Sequence, residues 1–429
     1  MLAANQHPPL FHIVKKPTLK VCLLGYRSNP YSGGQGIYIK FLSKALVDAG
    51  HSVDVISGEP YPELDERVRL IKLPGLNLFE ANNHVTALRP KHLLSYTDFF
   101  EWFSMLTGGF PEPYTFGRRL VRYFKRNRPG YDIVHDNQSL CYGTLKLQKM
   151  GVPVITTIHH PITSDLRIAL QSAETWQLRL LIKRWHSFLN MQKKVVKQLD
   201  NLVTVSRASR QDIATDFAIA ETKLSIVYNG IDTKVFRPIP NIEPEAFNVM
   251  ATASADAPLK GLDYLIRAIS ILTNEIPELK LTVLGKLNED GKTANLIKQL
   301  GLENRIHFYS GLSSQEVAEL YAKATCAVVP SIYEGFGLPA GEAMACGVPV
   351  IATNGGALPE VVGDAGITVP TRDHLALANA IRTLLADSNL RHTLAAKGRS
   401  RILELFSWQV AAGDMVQLYR EVVAGKVTH

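Results

Sequence analysis

The chain has 429 residues, 46% of them hydrophobic and 20% charged, with a formal net charge of +8; this fills one large or two ordinary globular cores and excludes a disordered chain. No apolar run approaches the roughly 18 to 20 residues that span a bilayer. The four cysteines, Cys22, Cys141, Cys326 and Cys346, lack Cys-x-x-Cys spacing, which points away from a disulfide framework or a structural zinc and toward a reducing, cytoplasmic setting.

Residues 1 to 18 carry His7-Pro8-Pro9 and Lys15-Lys16-Pro17 in place of the apolar block of a signal peptide, and read as a loose tail. Strands are then expected at Lys20 to Leu24, Ser52 to Ile56, Asp132 to His135, Val152 to Ile158 and Asn201 to Val205, separated by helical stretches. The loop Pro30-Tyr-Ser-Gly33-Gly34-Gln-Gly36 follows the first of these strands and opens a helix, so amide hydrogens and permissive backbone face whatever lies there. A plain tight turn is the competing reading, since the full Gly-x-Gly-x-x-Gly fingerprint is absent. His159 and His160 end a buried strand, where an imidazole can donate to a hydroxyl or manage a proton. A hydrogen-bonded packing role is the alternative, and it is the preferred reading of His135.

Two segments hold much of the positive charge. Residues 116 to 128 carry six cations, and residues 176 to 197 interleave Trp176, Trp185 and Phe188 with Arg179, Lys183, Arg184, Lys193, Lys194 and Lys197. Basic and aromatic helices of this kind dock on anionic membranes. The cluster Phe99, Phe100, Trp102, Phe103 and Phe110 would suit a site for a greasy ligand. Against both stands the ordinary alternative, in which the aromatics pack on a sheet and the charges are solvated.

The first 237 residues hold 31 Lys and Arg against 19 Asp and Glu, whereas residues 238 to 429 hold 16 against 20. That break coincides with Arg237-Pro-Ile-Pro240, so one domain is expected over 1–237, a second over 238–406, and a terminal helix over 407–429. In the second part, Phe247 to Ala251, Lys280 to Leu284 and Arg305 to Tyr309 read as strands, 261 to 274 as a helix, and Ser313-Ser-Gln-Glu316 as a capping box. The alternation implies an α/β fold of two Rossmann-like domains, with ligands beyond the carboxyl ends of the strands and hence in the cleft between domains. Lys260 lies after a strand, where an ammonium can stabilise a bound anion; a cation is disfavoured at a helix start, which weakens the reading of it as a merely solvated charge.

The densest segment runs from Ser331 to Ile351. Buried strands are expected at Cys326 to Pro330 and Val348 to Ala352, with a helix over 339–346 started by Pro339 and stopped by Gly347. Glu334 falls in the preceding glycine loop and Glu342 about one turn into the helix, a separation that suits gripping two parts of one extended ligand. The helix start offers partial positive charge to a diphosphate, and Gly335 and Gly337 let backbone approach it. The competing reading of Glu342 is a favourable charge near a helix start.

This Glu, seven residues, Glu pattern within Glu334-Gly335-Phe336-Gly337-Leu338-Pro339 resembles the family 4 retaining glycosyltransferases, also called group 1, of GT-B architecture. The resemblance implies two Rossmann-like domains facing across a cleft, with a last helix returning to the first domain. It implies that Glu342 binds the ribose hydroxyls of a nucleoside diphosphate sugar, with UDP favoured. Glu334 and the amides of Gly335, Phe336, Gly337 and Leu338 would then contact the donor sugar. Gly33 and Gly34 match a first-domain loop bordering the diphosphate and the acceptor, and His159 a histidine near the transferred sugar. His160 and Asp165 are further acceptor-side candidates. Where most members have an Arg five residues before Lys260, this chain has Ala255, so Lys260, helix ends, Arg207 or Lys286 must neutralise the phosphates.

The expected activity is retaining transfer of a hexose to an acceptor hydroxyl, with His159, Lys260 and Glu334 at the reacting centre. No Asp-x-Asp pair is present, so neither metal nor other cofactor is expected. The acceptor is read as a lipid or lipid-linked alcohol at the inner face of the cell membrane, or a soluble alcohol; a sugar-nucleotide epimerase, a glycogen-phosphorylase-like enzyme and a nucleic-acid-binding protein are the rival readings.

Overall fold

The computed structural model describes residues 17–30, 34–79, 90–171, 173 and 175–425. The tail at 1–16 and Gly33 lie outside them. Strands β1 (Lys20–Gly25), β2 (Ser52–Ser57), β3 (Arg69–Lys72), β4 (Ile133–Asn137), β5 (Val154–Ile158), β6 (Leu202–Thr204) and β7 (Leu224–Ile226) form one parallel sheet in the order β3-β2-β1-β4-β5-β6-β7. A second parallel sheet has the order β10-β9-β8-β11-β12-β13, from β8 (Asn248–Thr252), β9 (Lys280–Leu284), β10 (Ile306–Tyr309), β11 (Cys326–Val329), β12 (Val350–Thr353) and β13 (Ile367–Val369). Both are α/β Rossmann-like sheets, as the alternation predicts.

The central strands are continuous apolar runs because both of their faces are covered by helices. Val21, Leu23, Ile133 and Ile155 are buried in the first sheet, as are Val249, Leu281 and Val328 in the second. β5 starts two residues later than expected, after Pro153, which has no N–H to give to a ladder. The sequence reading lacks β3, β7 and β13, all edge strands of three or four residues. These three are short and only partly buried, so no sustained apolar pattern marks them; β10, also an edge, is marked by Ile306 and Phe308. Ser313 and Glu316 form the expected capping box.

The terminal helix Trp408–Val423 packs Trp408, Ala412, Met415 and Tyr419 into the core of the first sheet, beside Tyr38, Ile39 and Leu42. The Tyr419 hydroxyl lies 2.6 Å from Nδ1 of buried His135, whose Nε2 lies 2.7 Å from the Thr157 hydroxyl. His135 is thus part of the core that anchors the helix. The chain crosses between the two sheets side by side at two points, where the Ile231 amide donates to the Phe406 carbonyl at 2.6 Å. All four cysteines are buried and unpaired. Among the described residues no helix is long and apolar enough to cross a membrane.

Strand order reverses between β1 and β4 in the first sheet and between β8 and β11 in the second. Loops leaving these strands diverge there and open a crevice. The two crevices face each other.

Candidate functional site

A cleft of about 630 Å³ lies between the two sheets, within the range of small-molecule sites. Its walls include Gly34, His159, His160, Asp165, Lys260, Glu334, Gly335, Phe336, Gly337, Leu338 and Glu342. The structure therefore gathers these candidates into one space.

Lys260 ends a single 3₁₀ turn after β8 and is followed by Gly261 at φ 60°. A Cβ at Gly261 would fall 2.2 Å from the Pro330 carbonyl oxygen, so only glycine lets the loops after β8 and β11 touch. The Ile332 amide then donates to the Leu259 carbonyl at 2.8 Å. This approach places Lys260 Nζ 2.6 Å from Glu334 Oε1, an oxygen that also accepts from the buried Ser331 hydroxyl at 2.8 Å. Neither Arg207 nor Lys286 is among the lining residues. Lys260 is the one lysine or arginine among them.

Among the described residues, the helices Gln35–Asp48 and Leu338–Ala345 begin at the cleft without a side-chain cap. Their caps, Gly34 and Gly337, have φ of 73° and 99°, and no side chain caps either start. Each therefore presents uncompensated amide charge to the cleft, a setting for anions. Phe336 contributes backbone only: its ring is buried against Tyr228 and Phe406. Glu342 is half-buried one turn into its helix, and burial pushes its carboxyl up to about 7.

His159 leaves β5 with its Nε2 2.7 Å from Asn137 Oδ1. The Asn137 amide nitrogen donates to the Gln35 carbonyl at 3.1 Å, which fixes the amide's orientation and makes Oδ1 the acceptor. Nε2 must then carry the proton, leaving Nδ1 as an acceptor. Burial, and secondarily His160, pushes this imidazole down to about 3, so it is neutral near pH 7. Tyr38 packs edge-on against it with ring centres 4.6 Å apart. Gln138 clamps the same strand end, accepting from the His159 amide at 2.7 Å and donating to the His160 carbonyl at 2.8 Å. His160 and Asp165 face each other at 3.4 Å on the exposed rim.

The glycine loop is also gripped from the other side. The hydroxyls of Ser206 and Ser209 donate to the Gly335 carbonyl at 2.7 and 2.9 Å, and Tyr333 donates to Asp212 at 2.5 Å. Glu360, on the helix Leu358–Val362, accepts from the amides of Arg207 and Ala208, both at 2.8 Å. Sequence reading missed Asn137, Gln138, Ser206, Ser209, Tyr333 and Glu360, for each matters only through a partner distant in the chain. The aromatic cluster expected at an apolar acceptor site is absent from the lining. Phe110 instead packs with Tyr26, Phe79, Trp185 and Phe188, and Phe99 and Phe103 face outward.

Comparison with known proteins agrees with this geometry. Residues 237–401 match the family described as glycosyl transferases group 1, and residues 32–235 match glycosyltransferase family 4. An MMP alpha-(1->4)-mannosyltransferase from Mycolicibacterium hassiacum is 43% identical over 95% of this chain and 99% of its own. A D-inositol 3-phosphate glycosyltransferase from Kribbella flavida is 26% identical over 95% of this chain and 96% of its own. Among solved structures, the sucrose-phosphate synthase of Thermosynechococcus elongatus superposes with a TM-score of 0.69 at 26% identity, covering 95% of this chain and all of that one.

Proposed function

Because the chain belongs to the group 1 glycosyl transferases, we propose that it moves a mannosyl group from a nucleoside diphosphate sugar to a sugar hydroxyl, with retention at the anomeric carbon. The observation that carries this is the gathering of the Lys260–Glu334 pair, Glu342, neutral His159 and two uncapped helix starts around one cleft. The choice of mannose and of a sugar acceptor draws support from the mannosyltransferase of 43% identity. With Phe99 and Phe103 facing outward and Phe110 packed against Tyr26 and Trp185, an apolar lipid site in the cleft loses its support; the acceptor sugar is free or carried on a lipid.

In this reading Glu342 holds the ribose, and the diphosphate sits between the helix starts at Gly34 and Gly337, its charge balanced by Lys260 without a metal. Glu334 is already engaged by a cation and a hydroxyl on one oxygen, which suits binding sugar hydroxyls better than attacking carbon. The acceptor oxygen therefore attacks the anomeric carbon on the face the phosphate leaves. As the carbon–phosphate-oxygen bond breaks, the acceptor proton passes to the leaving phosphate oxygen. Lys260 and the helix amides favour this step because they meet charge that grows in the transition state. Nδ1 of His159 accepts a hydrogen bond from a donor-sugar hydroxyl.

The test is a thermal-shift panel of UDP, GDP and ADP sugars, since a ligand of the folded state raises the melting temperature by mass action. It is followed by NMR of the product formed from the best donor and oligomannose acceptors. A β-linked product, or donor turnover into another sugar nucleotide without acceptor, overturns the reading.

A further inference from the structure

The helix Glu112–Asn127 buries Phe116, Leu120 and Phe124 against the first sheet and turns a different stripe outward. Arg118, Arg122, Lys125 and Arg126, at spacings of four, three and one, share that exposed stripe. Across from them stands Lys146 on the helix Tyr142–Lys149, and the two helices enclose a groove of about 650 Å³ with Tyr114 and Tyr142 on its walls. Close contact between Gly117 and Gly143 sets the helices together: a Cβ on Gly143 would fall 2.4 Å from the Gly117 carbonyl oxygen. Among the described residues, none of the five cations has an acidic partner within ion-pair distance. The contrast is Arg119 on the same helix, which turns inward and is held by Asp98 and Glu101.

An apolar ridge adjoins the groove. The Arg118 guanidinium stacks on Tyr96 at 4.7 Å, and Tyr96 opens the helix Tyr96–Leu106, whose Phe99 and Phe103 are exposed. Just before it, Leu94 stands 91% in solvent. Leucine and phenylalanine at such exposure beside unpaired cations form one amphipathic face rather than two unrelated features.

We propose that this face docks on an anionic lipid bilayer, with Leu94, Phe99 and Phe103 entering the headgroup boundary and the groove's cations meeting acidic headgroups. Charge complementarity selects this occupant. A second copy in symmetric contact would set like-charged stripes against each other. A nucleic acid would use the cations and leave the ridge exposed to water. A bilayer with acidic lipids satisfies both halves, because surface potential draws the cations and interfacial burial takes the apolar tips. The inference is independent of the transfer reaction.

The test is co-sedimentation of the full chain with vesicles of phosphatidylcholine alone or mixed with phosphatidylglycerol, at 50 and 500 mM salt as working values on the scale where screening changes strongly. Pelleting is expected with the anionic vesicles at low salt, and loss of it at high salt or without the acidic lipid. Arg122→Glu with Arg126→Glu should weaken partitioning by roughly thirtyfold for the two cations lost, at about one kcal/mol per cation near the surface and ~1.4 kcal/mol per tenfold, and further for the two anions gained. Leu94→Ser with Phe103→Ser should weaken it while leaving the salt dependence in place. Circular dichroism and donor-induced thermal shift confirm that the variants fold. No pelleting at low salt overturns the proposal, as does pelleting that the charge reversal leaves unchanged. Salt-dependent RNA binding without vesicle binding assigns the groove to a different partner and also overturns it.

Discussion

Oδ1 of Asn137 lies 2.7 Å from Nε2 of His159, while the same amide donates to the Gln35 carbonyl. This pairing joins β4 to β5 and to the first helix, and it dictates which imidazole nitrogen is bare. Asn137→Asp sets a carboxylate in place of the amide oxygen. An opposite charge at that distance raises the imidazole by roughly 1–3 pH units. Starting from about 3, Nδ1 then gains its proton at roughly pH 4–6 and ceases to accept below that range. The expected result is an acidic limb of the pH–rate profile that moves upward into roughly pH 4–6, with kcat lowered there and little change in nucleotide affinity. Nitrogen NMR of the His159 ring reads the tautomer directly; an unshifted limb and ring would refute the assignment.

Lys260 and Glu334 share one short contact, yet their loss should differ. Lys260→Ala removes the one lysine or arginine among the described residues lining the cleft and is expected to lower kcat by roughly 10²–10³-fold, as for loss of one donor to developing charge, while also weakening nucleotide binding. Glu334→Ala should lower turnover chiefly. Ser331→Ala frees the carboxylate from its second anchor and should give a milder loss of the same kind. Single-turnover rates beside nucleotide titrations separate these cases, and equal losses in both readouts for all three variants would contradict the division of labour.

Much of this site is legible in the chain because it is contiguous. Glu334, the glycines and Glu342 lie within nine residues, and a loop feeding a helix start has a recognisable sequence. Central strands are legible for a similar reason, since burial on both faces writes unbroken apolar runs such as Cys326 to Val329. The short edge strands β3, β7 and β13 leave no such trace, whereas β10, also an edge, is marked by Ile306 and Phe308. Asn137, Gln138 and Glu360 are ordinary polar residues in sequence; each becomes informative when folding brings it to a backbone or imidazole far along the chain. The outward turn of Phe99 and Phe103 was equally hidden, because composition reveals aromatics and not the face they occupy.

Buried titratable groups set opposing slopes of stability with pH. His135 and His159, both pushed down to about 3 by burial, refuse protons that the unfolded chain accepts below about 6.5, so they cost stability as pH falls. Asp136, pushed up to about 6, and Glu342, up to about 7, take protons sooner in the folded chain and restore stability over the same descent. Glu342→Gln removes one opposing slope. At pH 8 the variant should be more stable, by about 1–3 kcal/mol after discounting for the carboxylate's partial exposure. The gap should close as pH falls toward 4.5, while donor affinity drops throughout. Denaturant melts at several pH values check this; a gap that does not depend on pH would show that burial is not what raises the carboxyl.

Glu360 couples the two sheets through a helix end. Its carboxylate receives the amides of Arg207 and Ala208 in the other domain, where Ser206 and Ser209 hold the Gly335 carbonyl. A carboxylate at a helix start is stabilised by the dipole as well as by the two hydrogen bonds. Glu360→Ala should therefore cost about 1 kcal/mol, the usual loss for a cap, and the cost falls on the contact between domains more than on either core. The expected outcome is faster hydrogen exchange at 207–210 and in the glycine loop, with a raised KM for donor and intact folding. Glu360→Asp, one methylene shorter, should recover part of the effect. If exchange rises at the strands of either sheet instead, Glu360 serves its own domain and the coupling is refuted.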